Sequence, residues 1–79
     1  MARVLLFGRF RDIAGWRERE VAAESLSDLR VRLAAGDADL GAALDGKGVQ
    51  VAVDQAIVKG DLALAPGAEV AFLPPMSGG

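Results

Sequence analysis

The residues best placed to do chemistry are the last six, Pro74-Pro75-Met76-Ser77-Gly78-Gly79. They follow the apolar run Val70-Ala71-Phe72-Leu73. Two consecutive prolines fix their own backbone and remove two amide donors, so the segment cannot extend a sheet ladder. Gly78 and Gly79 leave the terminal carboxylate with no side chain near it. A segment stiff at its base and bare at its tip suits insertion into a slot elsewhere. Terminal glycines alone also fit a frayed or engineered end. The rest of the chain has to decide between the two.

Composition closes several other routes. There is no cysteine and no histidine among the 79 residues. That leaves no disulfide framework, no thiolate nucleophile, no imidazole base and no Cys or His metal site, so no metal is expected. A net charge of −2 argues against nucleic acid or an anionic membrane as partner. The apolar run at Met1–Phe7 is too short for a signal peptide or a spanning helix, and the expected location is the cytoplasm. The length predicts one domain. A domain this small buries about 60% of its unfolded surface. Its core yields roughly 3–5 kcal/mol net. An apolar fraction of 52% argues for a folded globule rather than disorder.

The elements that must position the tail follow from pattern. Ala2–Phe7 reads as a strand bounded by Gly8, with Val4 and Leu6 on one face and Arg3, Leu5 and Phe7 on the other. Arg9–Ala14 reads as a connector of about one helical turn, closed by Gly15. The alternating charges Arg17-Glu18-Arg19-Glu20 suit an edge strand over Trp16–Ala22, paired with the first as a hairpin. Ser25 and Asp28 have capping-box spacing and open a helix whose stripe is Leu26, Leu29 and Leu33, with Gly36 as its C′ residue. A second short helix, weakened by Gly41, is predicted over Asp37–Leu44. Val49–Val53 alternates as a strand, Asp54-Gln55 turns, and Ala56–Val58 returns. Pro66-Gly67 has type II turn chemistry and Glu69–Leu73 is the last strand.

This order is an α+β arrangement, one main helix across a small mixed sheet, and it matches the β-grasp or ubiquitin-like roll. In that roll the first and last strands lie side by side at the centre. Parity then sends Val4, Leu6, Val70 and Phe72 towards the helix. It leaves Leu5, Phe7, Ala71 and Leu73 on an uncovered outer face, where an apolar patch marks a partner site.

The ending Phe72-Leu73-Pro74-Pro75-Met76-Ser77-Gly78-Gly79 resembles the C-terminus of the molybdopterin synthase small-subunit family. So does the opening Val4-Leu5-Leu6-Phe7 with Phe10-Arg11-Asp12-Ile13-Ala14-Gly15. The likeness continues through Val51-Ala52-Val53-Asp54-Gln55 and Pro66-Gly67-Ala68-Glu69-Val70. Sulfur carriers of the thiamine type share the fold and the Gly-Gly but usually lack the double proline.

The resemblance implies that residues 1–79 form a sulfur-carrier domain with a flexible tail at 74–79. It implies that the carboxylate of Gly79 is adenylated by an ATP-using activating enzyme, and that a sulfur donor system then converts it to a thiocarboxylate. The large synthase subunit would hold the catalytic pocket and the pterin precursor, cyclic pyranopterin monophosphate, in a heterotetramer. The small subunit alone would not be an enzyme and would keep no permanent cofactor. Gly78, Ser77, Met76, Pro75 and Pro74 would form the inserted tail. Six extended residues reach about 20 Å. Arg11, Asp12, Lys47 and Lys59 read as surface charges, and Asp54, Asp61 and Glu69 as solubilising or partner-facing acids. The other readings are a carrier for thiazole or amino-acid synthesis, a ubiquitin-like modifier conjugated to lysines, and a binding module with an incidental Gly-Gly.

Overall fold

Strict alternation makes Ala2–Leu6 a strand (β1) with one face fully buried: Ala2, Val4 and Leu6 are at most 2% exposed. The computed structural model describes residues 1–75. After β1 come the short helix Arg9–Ala14 (α1), the strand Glu18–Val21 (β2), the main helix Leu26–Gly36 (α2) and a second helix Ala38–Leu44 (α3). Strands Gln50–Val53 (β3), Ala56–Val58 (β4) and Glu69–Leu73 (β5) complete the order.

Among the described residues the strands form one mixed sheet in the order β2-β1-β5-β3-β4. The first and last strands are central neighbours and run parallel, with Val4 opposite Val70 and Leu6 opposite Phe72. The other pairs are antiparallel, and β2 is an edge, as its alternating charges predict. At the β3–β4 turn Asp54 and Gln55 both have positive φ, 49° and 71°, the backbone of a two-residue type I′ hairpin. Gly67 has φ 80° and the Ala68 N–H donates to Ala65 O, so Pro66-Gly67 forms the expected type II turn.

The core lies between one sheet face and the helices. Val4, Leu6, Val70 and Phe72 meet Leu26, Leu29 and Leu33 of α2 and Leu40 and Leu44 of α3 in one buried cluster. Phe10 is fully buried as well, so α1 is a core element rather than a mere connector. Six residues are too few to display a helical period, which is why pattern alone shows only a link there.

The α2 caps differ in part from expectation. Ser25 accepts from the Asp28 N–H, as the box requires, but the Asp28 carboxylate accepts from Glu24 N–H rather than from Ser25. Gly36 is not a left-handed C′ residue: it ends the helix itself, and extended Asp37 follows as C-cap. Asp37 also starts α3, accepting from Leu40 N–H, and that role demands extended rather than left-handed backbone.

Candidate functional site

Among the described residues nothing covers the sheet face turned away from the helices. One register row crosses all five strands there: Glu18 opposite Leu5, Leu5 opposite Ala71, Ala71 opposite Ala52, and Ala52 opposite Ile57. After Glu18 the row is apolar. Leu5 and Leu73 are half-buried, Phe7 is 41% exposed and Ile57 52% exposed. Ala71 is only 8% exposed, because its small side chain sits between the neighbouring strands, so it acts as floor rather than contact. The structure thus brings Leu5, Phe7, Ala71 and Leu73 together as parity predicts, and it extends the patch to Ala52 and Ile57.

Those two were legible in principle. A two-residue turn at Asp54-Gln55 forces Val53 opposite Ala56 and Ala52 opposite Ile57, which puts Ile57 on the outer face.

A polar rim bounds the patch on one side. Arg3 pairs with Glu69 at 3.1 Å and with Glu18 at 3.5 Å. These pairs are exposed enough that each contributes under about 1 kcal/mol, so they act as boundary rather than support. Beside Phe7, Leu5 and Leu6, the exposed cations Arg11 and Arg17 line a groove with Glu18.

The acids read as solubilising or partner-facing, Asp54, Asp61 and Glu69, also make bonds within the fold. Asp54 accepts from Glu69 N–H at 3.0 Å. Asp61 accepts from the Ser27 N–H and hydroxyl and from Leu62 N–H. These hydrogen bonds hold the Asp61 carboxyl below the ordinary aspartate value, the Ser27 N–H contributing most. Lys47 and Lys59 are exposed.

The tail leaves β5 at the end of the sheet where β1 also finishes, beside Phe7 and Leu73. Pro74 is half-buried and Pro75 exposed. Met76, Ser77, Gly78 and Gly79, expected to carry the inserted tip and the reactive carboxylate, lie outside the described residues. Among the described residues no group of three or more Asp or Glu side chains is arranged to hold a metal ion. None of the described helices is long and apolar enough to cross a membrane.

A five-stranded mixed sheet with parallel central first and last strands, a helix across one face and a proline-led segment beside the bare face define a β-grasp protein. The ThiS family model matches residues 4–79, and the chain belongs to that family. It is 38% identical over 81 residues, covering 100% of both chains, to the molybdopterin synthase sulfur carrier subunit of Escherichia coli (strain K12). A Pyrococcus furiosus structure assigned as molybdopterin converting factor, subunit 1, is 28% identical with a TM-score of 0.80, over 95% of this chain and 97% of that one. Small archaeal modifier protein 1 of Methanosarcina acetivorans shares the fold at TM-score 0.86 and 22% identity, over 99% of this chain and 95% of that one.

Proposed function

We propose that this chain is the sulfur-carrier subunit of a molybdopterin synthase. The observation that carries this is the full-length likeness to a subunit of that name. The uncovered apolar face beside the tail supports it, since a carrier must dock before it can deliver.

In this reading Gly79 supplies the reacting carbon. Its carboxylate attacks the α-phosphorus of ATP on an activating enzyme, expelling pyrophosphate and leaving an acyl adenylate. Sulfide from the donor system then attacks the acyl carbon, the bond to AMP breaks, and the thiocarboxylate and AMP are left. The large subunit receives the tail and holds cyclic pyranopterin monophosphate, to which the sulfur passes. Each product takes two sulfurs, so two loaded carriers serve it, in keeping with a heterotetramer.

The division of labour follows from composition. With no cysteine or histidine, this chain supplies no thiolate and no imidazole, and in this scheme such groups come from its partners. Gly79 has no Cβ to hinder attack, and Gly78 permits backbone angles closed to other residues in a narrow slot. Pro74 and Pro75 lower the entropy lost when the tail is inserted. Leu5, Phe7, Leu73 and Ile57 form the docking contacts. The chain holds no cofactor of its own in this scheme and works in the cytoplasm.

Intact-mass measurement tests the proposal. Incubation with activating enzyme, ATP and sulfur donor should exchange one terminal oxygen for sulfur. Removal of Gly79 should abolish that exchange. An unchanged mass, with an enzyme and donor shown to be active on another carrier, would remove the carrier reading. Transfer of the sulfur to the pterin precursor by the large subunit separates this pathway from its siblings.

A further inference from the structure

Pro74 and Pro75 each lie against a glycine with left-handed backbone. Gly8 (φ 55°) follows β1, and a Cβ built on it would stand 3.0 Å from Cγ of Pro74. Gly48 (φ 80°) precedes β3, and a Cβ there would stand 2.8 Å from Cβ of Pro75. The two glycines belong to separate loops, one joining β1 to α1 and the other α3 to β3. The second loop is tethered at its start: Arg30 donates from Nη1 to Leu44 O at 3.2 Å and lies 3.5 Å from Asp45 Oδ1. Gly60 and Gly67 also have positive φ, 75° and 80°, but a Cβ on either meets nothing within 4 Å. Gly60 and Gly67 therefore answer only to backbone angle. Gly8 and Gly48 answer in addition to the prolines of the tail.

We propose that Gly8 and Gly48 form a collar around the diproline that sets the direction in which the chain leaves β5. They are thereby positioning residues for the loading and delivery of sulfur, which rests on the reading of Gly79 as the loaded residue. A methyl group on either glycine would push a proline aside at the base of the tail. An angular error there is magnified along the residues that follow. A displacement of about 1 Å at a reacting centre costs as much as hundredfold in rate.

The test compares four substitutions, Gly8→Ala, Gly48→Ala, Gly60→Ala and Gly67→Ala, by thermal melting and by the rate of thiocarboxylate formation read from intact mass. All four should melt below wild type, because alanine resists positive φ. Only Gly8→Ala and Gly48→Ala should load slowly while folded, by about tenfold or more in kcat/KM. Two second-site changes remove the colliding atoms. Pro74→Ala deletes the Cγ facing residue 8, and Pro75→Gly deletes the Cβ facing residue 48. Each should speed loading relative to its glycine variant alone. Equal loading by all four folded variants, or no recovery in the double variants, overturns the collar. If wild type itself takes up no sulfur, it is the Gly79 reading that fails. The melting temperatures of the glycine variants, of Pro74→Ala and Pro75→Gly alone, and of the double variants then judge the collar: non-additive shifts support the contact, and additive shifts overturn it.

Discussion

Asp28 carries more than its place in a predicted cap suggests. Its carboxylate accepts from Glu24 N–H at 3.2 Å and from Arg32 Nε at 3.1 Å, and these hold its pKa below the ordinary value, the Glu24 bond most strongly. Asp61 is held low in the same way from the β4–β5 connection, and both fasten the start of α2. Groups whose folded pKa is lowered contribute stability that is present above the ordinary aspartate pKa and lost as pH falls through the folded value. Melting temperature should therefore drop between about pH 5 and about pH 2. Asp28→Asn and Asp61→Asn should lower it near neutrality and flatten that acid slope. An acid slope as steep in both variants as in wild type would show that other carboxylates govern it. The Ser25–Asp28 spacing was readable in advance. The choice of Glu24 N–H as the return donor was not, because the box spacing names Ser25 N–H and the carboxylate reaches one residue further back.

At the scale of elements, α2 and α3 meet more closely than pattern foretells. A Cβ on Gly41 would lie 2.5 Å from Cβ and 2.8 Å from Cα of Ala34. Gly41 reads in the sequence as a weak point in a short helix, where alanine would be favoured by about 1 kcal/mol. The packing reverses that sign. Gly41→Ala should cost about 1–3 kcal/mol through overpacking, measured by urea denaturation. A variant as stable as wild type would mean that α3 can move away freely. Strands and caps were legible here because alternation, charge and turn residues are local signals. The strands expected over Ala2–Phe7 and Trp16–Ala22 appear as Ala2–Leu6 and the shorter Glu18–Val21, and the Asp54-Gln55 turn appears where its residues put it. Gly36 and Gly41 were misjudged because their roles depend on what comes next to them in space. Asp37 claims the first junction for a cap, and Ala34 occupies the room beside the second.

At the scale of the molecule, one sheet serves two purposes on its two faces. Phe10 and Phe72 are 0% exposed on the inner side, whereas Phe7 and Ile57 stand open on the outer side. Phe10→Ala should cost about 3–5 kcal/mol. That is comparable with the roughly 3–5 kcal/mol net expected of so small a core, so circular dichroism should show a largely unfolded chain. Phe7→Ala and Ile57→Ala should melt close to wild type, yet each should weaken the complex with the large subunit by about 1–2 kcal/mol in titration calorimetry. Undiminished affinity in both would take the outer face out of the docking account. The central pairing of β1 with β5 has a mechanical consequence for the tail insertion proposed above. A pull on Pro74 and Pro75 acts along the axis of β5, which is bonded to β1 on one side and β3 on the other. Both ladders are then loaded in shear, all rungs at once, instead of being unzipped one after another. The strand that bears the tail is thus an interior strand, held by a ladder on each side against being tugged.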